Sequence, residues 1–143
     1  MLTDSDQEIT VLLVEDDEDD YMITRHLLNE ARGIACHLVW VQRLSKALEA
    51  IGSKPPDVVL LDLSLPDSSG WDTLVAVLRR ATQVPVILLT GNRDETLGLK
   101  AVQEGAQDYL FKGYLDRESL TRAIRYAIER KRAELVLKEY QEH

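Results

Sequence analysis

Cysteine is nearly missing from this chain. Among 143 residues only Cys36 carries a thiol, so no disulfide can close within the chain and no thiolate metal site can assemble. Cys36 lies in an apolar run, where a small core residue is expected. No apolar stretch approaches the length of a membrane-spanning helix, so no membrane insertion is expected. Basic residues are in deficit: 17 Lys and Arg stand against 25 Asp and Glu, a formal net charge of -8. That balance argues against bulk attraction to nucleic acid or anionic membrane, and no direct nucleic-acid partner is expected. The start, Met1-Leu2-Thr3-Asp4-Ser5-Asp6, is acidic and polar, unlike an export signal, and a cytoplasmic location is the default expectation. A nucleotide P-loop is absent. So is the Ser/Thr/Gly-rich loop that a flavin phosphate needs after the first strand; that loop is acidic here. His26, His37 and His143 are not clustered and offer no nucleophile triad.

What remains is an ordinary globular composition, 45% hydrophobic and 29% charged, at a length that suits one domain. Residues 1–8 read as a flexible lead. Apolar runs at Ile9–Val14, Val58–Leu61, Val86–Leu89 and Tyr109–Phe111 read as strands, as does Cys36–Val41, which alternates and is rich in strand formers. Helices are expected over 19–31, 45–51, 71–80, 96–104 and from Arg117 to about Gln141. The first should bury Met22, Ile23, His26 and Leu27, with His26 as a packed core histidine. The second should stop at Gly52. Five strand–helix repeats argue for an α/β fold with a parallel sheet covered on both faces.

Four of these strands end in polar groups. The first delivers Glu15, Asp16 and Asp17; the third, Asp62; the fourth, Thr90; the fifth, Lys112. Parallel strands would bring these to the carboxyl edge of one sheet, where open α/β sheets bind ligands. So many acids in a small space repel one another, and a hard divalent cation such as Mg²⁺ relieves that repulsion with oxygen ligands. Asp17, Glu18, Asp19 and Asp20 also suit the first turn of a helix, where acids are favoured. A carboxylate can further act as a nucleophile and form an aspartyl phosphate, aided by a cation and a hydroxyl nearby. Lys112 and Thr90 are the candidates for those two tasks.

The ordered set resembles the receiver domain of two-component response regulators, including receivers that stand alone as in chemotaxis-type regulators. The resemblance rests on Val-Glu-Asp-Asp at 14–17, Leu-Asp-Leu-Ser-Leu-Pro at 61–66 with Gly70, Leu-Leu-Thr-Gly at 88–91 and Gly-Ala-Gln-Asp-Tyr-Leu-Phe-Lys at 105–112. It implies a flavodoxin-like, doubly wound (βα)5 fold with strand order 2-1-3-4-5, a receiver domain over 9–130 and a helical extension over 131–143. It implies that Asp62 accepts a phosphoryl group from a sensor histidine kinase or a histidine phosphotransfer protein. Asp16, Asp62 and the Ser64 backbone carbonyl would bind Mg²⁺, or Mn²⁺ in its place, with Glu15 acting through a water. Thr90 would follow the phosphoryl group, Lys112 would pair with it, and Tyr109 would be the aromatic switch. Ser64 and Asn92 lie where hydrolysis is tuned. Asp17 need not face the metal. Such a domain is not an enzyme, although it can assist its own phosphorylation and dephosphorylation. Signal would pass through the face made by the fourth helix, fifth strand and fifth helix.

Two residues depart from the family pattern. Gly113 stands where proline usually follows the lysine, so a trans bond and a looser Lys112 are expected, since a non-proline cis bond costs about 2.5–4 kcal/mol. Gly91 stands where alanine is common and should widen access to Asp62. The last helix is longer than a receiver needs. Its tail suggests pairing with a second chain, or a signalling linker of a receiver excised from a hybrid kinase or multidomain regulator. A haloacid-dehalogenase-type phosphatase also forms an aspartyl phosphate, but it needs Asp-x-Asp after its first strand, and Asp62-Leu63-Ser64 on the third strand does not supply it.

Overall fold

The three central strands form where β-branched and leucine residues run uninterrupted, because both faces of each run can be buried, and the two edge strands are less fully buried. In a computed structural model, which describes residues 8–91 and 95–142, these are β1 (Glu8–Val14), β2 (Ala35–Val41), β3 (Val58–Asp62), β4 (Val86–Thr90) and β5 (Asp108–Phe111). They pair in parallel in the order β2-β1-β3-β4-β5, the expected doubly wound arrangement. Val14 lies beside Leu61 and Val41, and Asp62 beside Leu89, so the carboxyl ends are level. Asp57 pins the opposite edge: its Oδ2 accepts from the Thr10 amide at 2.7 Å while its own amide donates to the Thr10 carbonyl at 2.9 Å.

The helices are α1 (Glu18–Asn29), α2 (Leu44–Ser53), α3 (Trp71–Arg80), α4 (Glu95–Glu104) and α5 (Arg117–Gln141). One face of the sheet packs Val11, Leu13, Val58, Leu60, Ile87 and Leu89 against α1 and α5. The other packs Leu12, Val14, Val59, Leu61, Val86 and Leu88 against α2, α3 and α4. Alternation along each strand therefore serves two cores at once. α5 starts at a capping box, where the Asp116 side chain accepts from the Ser119 amide at 2.7 Å and the Asp116 amide donates to the Ser119 hydroxyl at 3.2 Å.

Several expectations change. β1 starts at Glu8, so the proposed lead ends a residue earlier, and positions 1–7 lie outside the described residues. α1 buries Thr24 and Leu28 rather than Met22 and Ile23, which are 50% and 53% exposed. His26 is not a core histidine: its side chain is exposed and lies 3.3 Å from Glu30 one turn on. The helix carries apolar residues on more than one face, and its packing on the sheet selects the face of Thr24 and Leu28. α2 runs through Gly52 to Ser53, and the missing side chain there makes room for the Arg80 guanidinium, which reaches the Leu48 carbonyl at 3.3 Å. Cys36 is half-buried and packs against the α1/α5 core. The short antiparallel ladder of Ser64–Leu65 with Ser68–Ser69, and a 3-10 turn over Lys112–Tyr114, were not expected from the sequence. No described helix is long and apolar enough to cross a membrane.

Candidate functional site

The site is built from the carboxyl ends of β1, β3, β4 and β5. β1 ends as Val14 gives way to Glu15, whose amide donates to the Val41 carbonyl at 3.0 Å and keeps the backbone strand-like for one more step. That step turns Glu15 inward, and it is only 1% exposed. Its Oε1 accepts from the Asp17 amide at 3.1 Å, and its Oε2 accepts from Lys112 Nζ at 2.7 Å. Trp40 on β2 stacks on Tyr21 of α1, with ring centroids 3.8 Å apart, and donates from Nε1 to the Glu15 carbonyl at 2.6 Å. The acidic turn is thus gripped from the side.

Asp16 is exposed, and oxygens of Glu15, Asp16 and Asp62 lie within 4.8 Å of one another. Three hard oxygen donors at that spacing fit a divalent cation of the Mg²⁺ type. Asp17 does not join them; it caps α1, accepting from the Asp19 amide at 2.9 Å. Asp62 is largely shielded. Its Oδ1 accepts from the Ser64 amide at 2.9 Å and its Oδ2 from Lys112 Nζ at 2.6 Å. The loop after β3 is tied back by Asp67, which accepts from the Leu44 and Ser45 amides at 2.8 and 3.0 Å and so caps α2. Those two amides hold the Asp67 carboxyl below its usual range.

Lys112 closes the site. Besides Glu15 and Asp62 it donates to Asp20 on the first turn of α1, at 2.8 Å. Burial alone would pull the ammonium down, but Asp20, Asp62 and Glu15 outweigh it and raise it above its ordinary value. Burial pushes the Glu15 carboxyl up to about 7, with Asp62 adding to the rise and Lys112 opposing it. Against the expectation that Gly113 loosens it, the Lys112 ammonium has all three of its donors engaged. No peptide bond among the described residues is cis, which agrees with the trans bond expected at Lys112–Gly113. Thr90 ends β4 at the same edge, half-buried, and Gly91 beyond it faces open space. Asn92 lies outside the described residues.

Tyr109 stands on β5 with its ring edge-on to Phe111, centroids 6.1 Å apart. The ring also covers Gly98 of α4, where an added Cβ would run into it. Sequence reasoning assigned Asp20 only to the helix first turn and missed its contact with Lys112; its acidic neighbours concealed it. It likewise gave Trp40 no task, and nothing in the order of residues signals its bond to Glu15.

A doubly wound sheet with three acids, a hydroxyl and a lysine at its carboxyl edge defines a class of phosphate-handling signalling domain. The chain belongs to the response regulator receiver domain family, whose model matches residues 11–125. It is therefore a receiver of two-component signal transduction, a signalling domain of the kind that works with histidine kinases and phosphotransfer proteins. The chain is 37% identical over 125 residues to the transcriptional regulatory protein KdpE of Mycobacterium tuberculosis, covering 87% of this chain and 54% of that protein. Over 66 residues it is 42% identical to the regulatory protein LuxO of Vibrio cholerae, covering 46% of this chain and 14% of LuxO. The chain thus spans only part of these relatives. Because they include transcriptional regulators, the expected absence of a nucleic-acid partner is not supported. Among solved structures, the receiver domain of a LuxO repressor from Vibrio parahaemolyticus superposes with a TM-score of 0.76 at 25% identity, over 92% of this chain and 98% of that one. The receiver of a sensor histidine kinase from Pseudomonas aeruginosa, with magnesium in its active site cleft, superposes with a TM-score of 0.72 at 24% identity, over 86% and 99%.

Proposed function

We propose that Asp62 is the phosphoryl acceptor of this receiver. The observation that carries the reading is the convergence on Asp62 of two other acids and one ammonium at the end of β3. An Asp62 oxygen attacks the phosphorus of a phosphohistidine; the P–N bond breaks and the freed imidazole takes up a proton. Glu15, Asp16 and Asp62, with the Ser64 carbonyl, would hold Mg²⁺ or Mn²⁺, Glu15 acting through a water. Bound there, the cation offsets the charge of the phosphoryl oxygens. Lys112 pairs with one of those oxygens and Thr90 with another.

The switch is a population shift. The phosphoryl group adds charge and acceptors that only one arrangement of the loops after β4 and β5 can satisfy. Thr90 moves toward the phosphoryl group, and Tyr109 turns as that space changes. The face of α4, β5 and α5 then engages a partner or a second copy. Ser64 and Asn92 set how fast the acyl phosphate hydrolyses, which the domain assists without being an enzyme in the ordinary sense. The cytoplasm is the compartment in which such a kinase would reach it. A second reading places the same receiver inside a longer regulator or hybrid kinase, with residues 131–143 as a linker; the overhang of α5 favours it.

Incubation with Mg²⁺ and acetyl phosphate tests the acceptor. Intact-mass measurement should show one phosphoryl group on the wild type and none on Asp62→Asn. Equal gain in both would move the acceptor elsewhere.

A further inference from the structure

Lys112 is held by one more carboxylate than the motif explains. Asp20 Oδ2 lies 2.8 Å from Nζ, beside Glu15 at 2.7 Å and Asp62 at 2.6 Å. An ammonium has three donors, so these contacts saturate it. Asp20 differs from the other two. It stands outside the group of acids whose spacing suits a cation. Its base is a helix, capped by Asp17, rather than a strand end. Its carboxylate is turned toward the lysine, with Nζ as its hydrogen-bond partner. On the far side of Lys112, Gly113 sits within a 3-10 turn and has no side chain to pack, since even an added Cβ there would face open space.

Phosphorylation changes what Lys112 can touch. Asp62 Oδ1 accepts from Ser64 and Oδ2 from Lys112, so phosphorylating either oxygen disturbs one of those bonds. Glu15 belongs to the cation group. Asp20 is neither the acceptor nor a member of the cation group, so its bond to Nζ can persist through the transfer. We propose that Asp20 is a positioning residue that anchors Lys112 over the acceptor, doing from α1 what a stiff residue after the lysine would do from the loop. This rests on Asp62 being the acceptor.

The test compares Asp20→Ala, Asp20→Asn and Asp20→Glu, each alone and with Lys112→Ala. Phosphorylation by acetyl phosphate and Mg²⁺ affinity are the readouts, the latter through tryptophan fluorescence, since Trp40 is bonded to the Glu15 carbonyl. Asp20→Ala should slow phosphorylation about tenfold, as expected for losing a charged hydrogen bond. Asp20→Asn should fall between, and Asp20→Glu should recover most of the rate. Mg²⁺ affinity should stay within about twofold, and with Lys112→Ala the Asp20 changes should add nothing, as a coupled pair requires. Asp20→Asn keeps the side-chain shape, so a folding defect in Asp20→Ala leaves the test intact. Equal losses in both backgrounds overturn the proposal, and so does faster phosphorylation in Asp20→Ala, which would make Asp20 a competitor for the lysine. Phosphorylation of Asp62→Asn would instead overturn the acceptor reading itself.

Discussion

Replacing Glu15 with glutamine should stabilise the metal-free protein at alkaline pH and leave it unchanged at acid pH. Glu15 is 1% exposed, and its burial raises the carboxyl from 4.5 to about 7. A raised acid costs the folded state nothing below the unfolded value, where both states hold the proton. The cost appears as pH climbs from 4.5 and is complete above about 7. At about 1.36 kcal/mol for each pH unit, that interval corresponds to a loss on the order of 3 kcal/mol. Glutamine imitates the protonated acid and escapes the loss. Lys112 is not stranded by the change, because Asp20 and Asp62 still accept from it. Urea unfolding in EDTA at pH 4.5 and pH 8 measures the effect as the wild type minus Glu15→Gln. Saturating Mg²⁺ should narrow the gap at pH 8, since a ligand at 100 times its Kd adds about 2.7 kcal/mol to the state that binds it. A difference that does not vary with pH, or a variant less stable than wild type at pH 8, would refute the reasoning.

Three further outcomes follow from the packing. Gly98→Ala should destabilise, although alanine in a helix is normally better by about 1 kcal/mol, because its Cβ meets the Tyr109 ring; a rise in melting temperature would contradict the contact. Ile124→Ala, at a fully buried position on α5, should cost about 2–5 kcal/mol by urea unfolding. Asp116→Ala removes the α5 capping box. The Ser119 contacts hold the Asp116 carboxyl below its usual range, so the variant's deficit should be present at pH 7 and shrink as acid protonates the wild-type cap, read as converging urea midpoints.

The central strands were legible because each is apolar on both sides, and β2 because its residues alternate and are rich in strand formers. α3 and α5 matched their expected limits, because Trp71, Leu74, Val75 and Leu78 in one and Leu120, Ile124, Ala127 and Ile128 in the other recur at helical spacing. α1 was less legible: its apolar residues lie on more than one face, and hydropathy ranks Met22 above Thr24, which the sheet buries. The two-residue ladder at Ser64 and Ser68 is too short to leave a periodicity. In the site, Glu15, Asp16, Asp62, Thr90 and Lys112 could be located because each ends a strand. Asp20 could not, because an acid in a helical first turn already has a reason to be there.

α5 does not leave the sheet where its core residues stop. Beyond Ile128, Arg130 donates to the Gln107 carbonyl at 3.3 Å, and the Gln107 side chain donates to Glu134 at 3.0 Å. Gln107 immediately precedes β5, the strand whose other end leads into Lys112. The helix is therefore held along its first half by the core and clamped just past its middle, leaving the last turns free. Of its 25 residues, the 11 beyond Arg130, as far as Gln141, reach about 16 Å, so a tilt of about 5° at the clamp swings the last turn by roughly 1.4 Å. The swinging end bears Val136, Leu137 and Tyr140, all exposed, so any tilt passed to the helix through Gln107 is delivered to an apolar surface well away from the acidic edge.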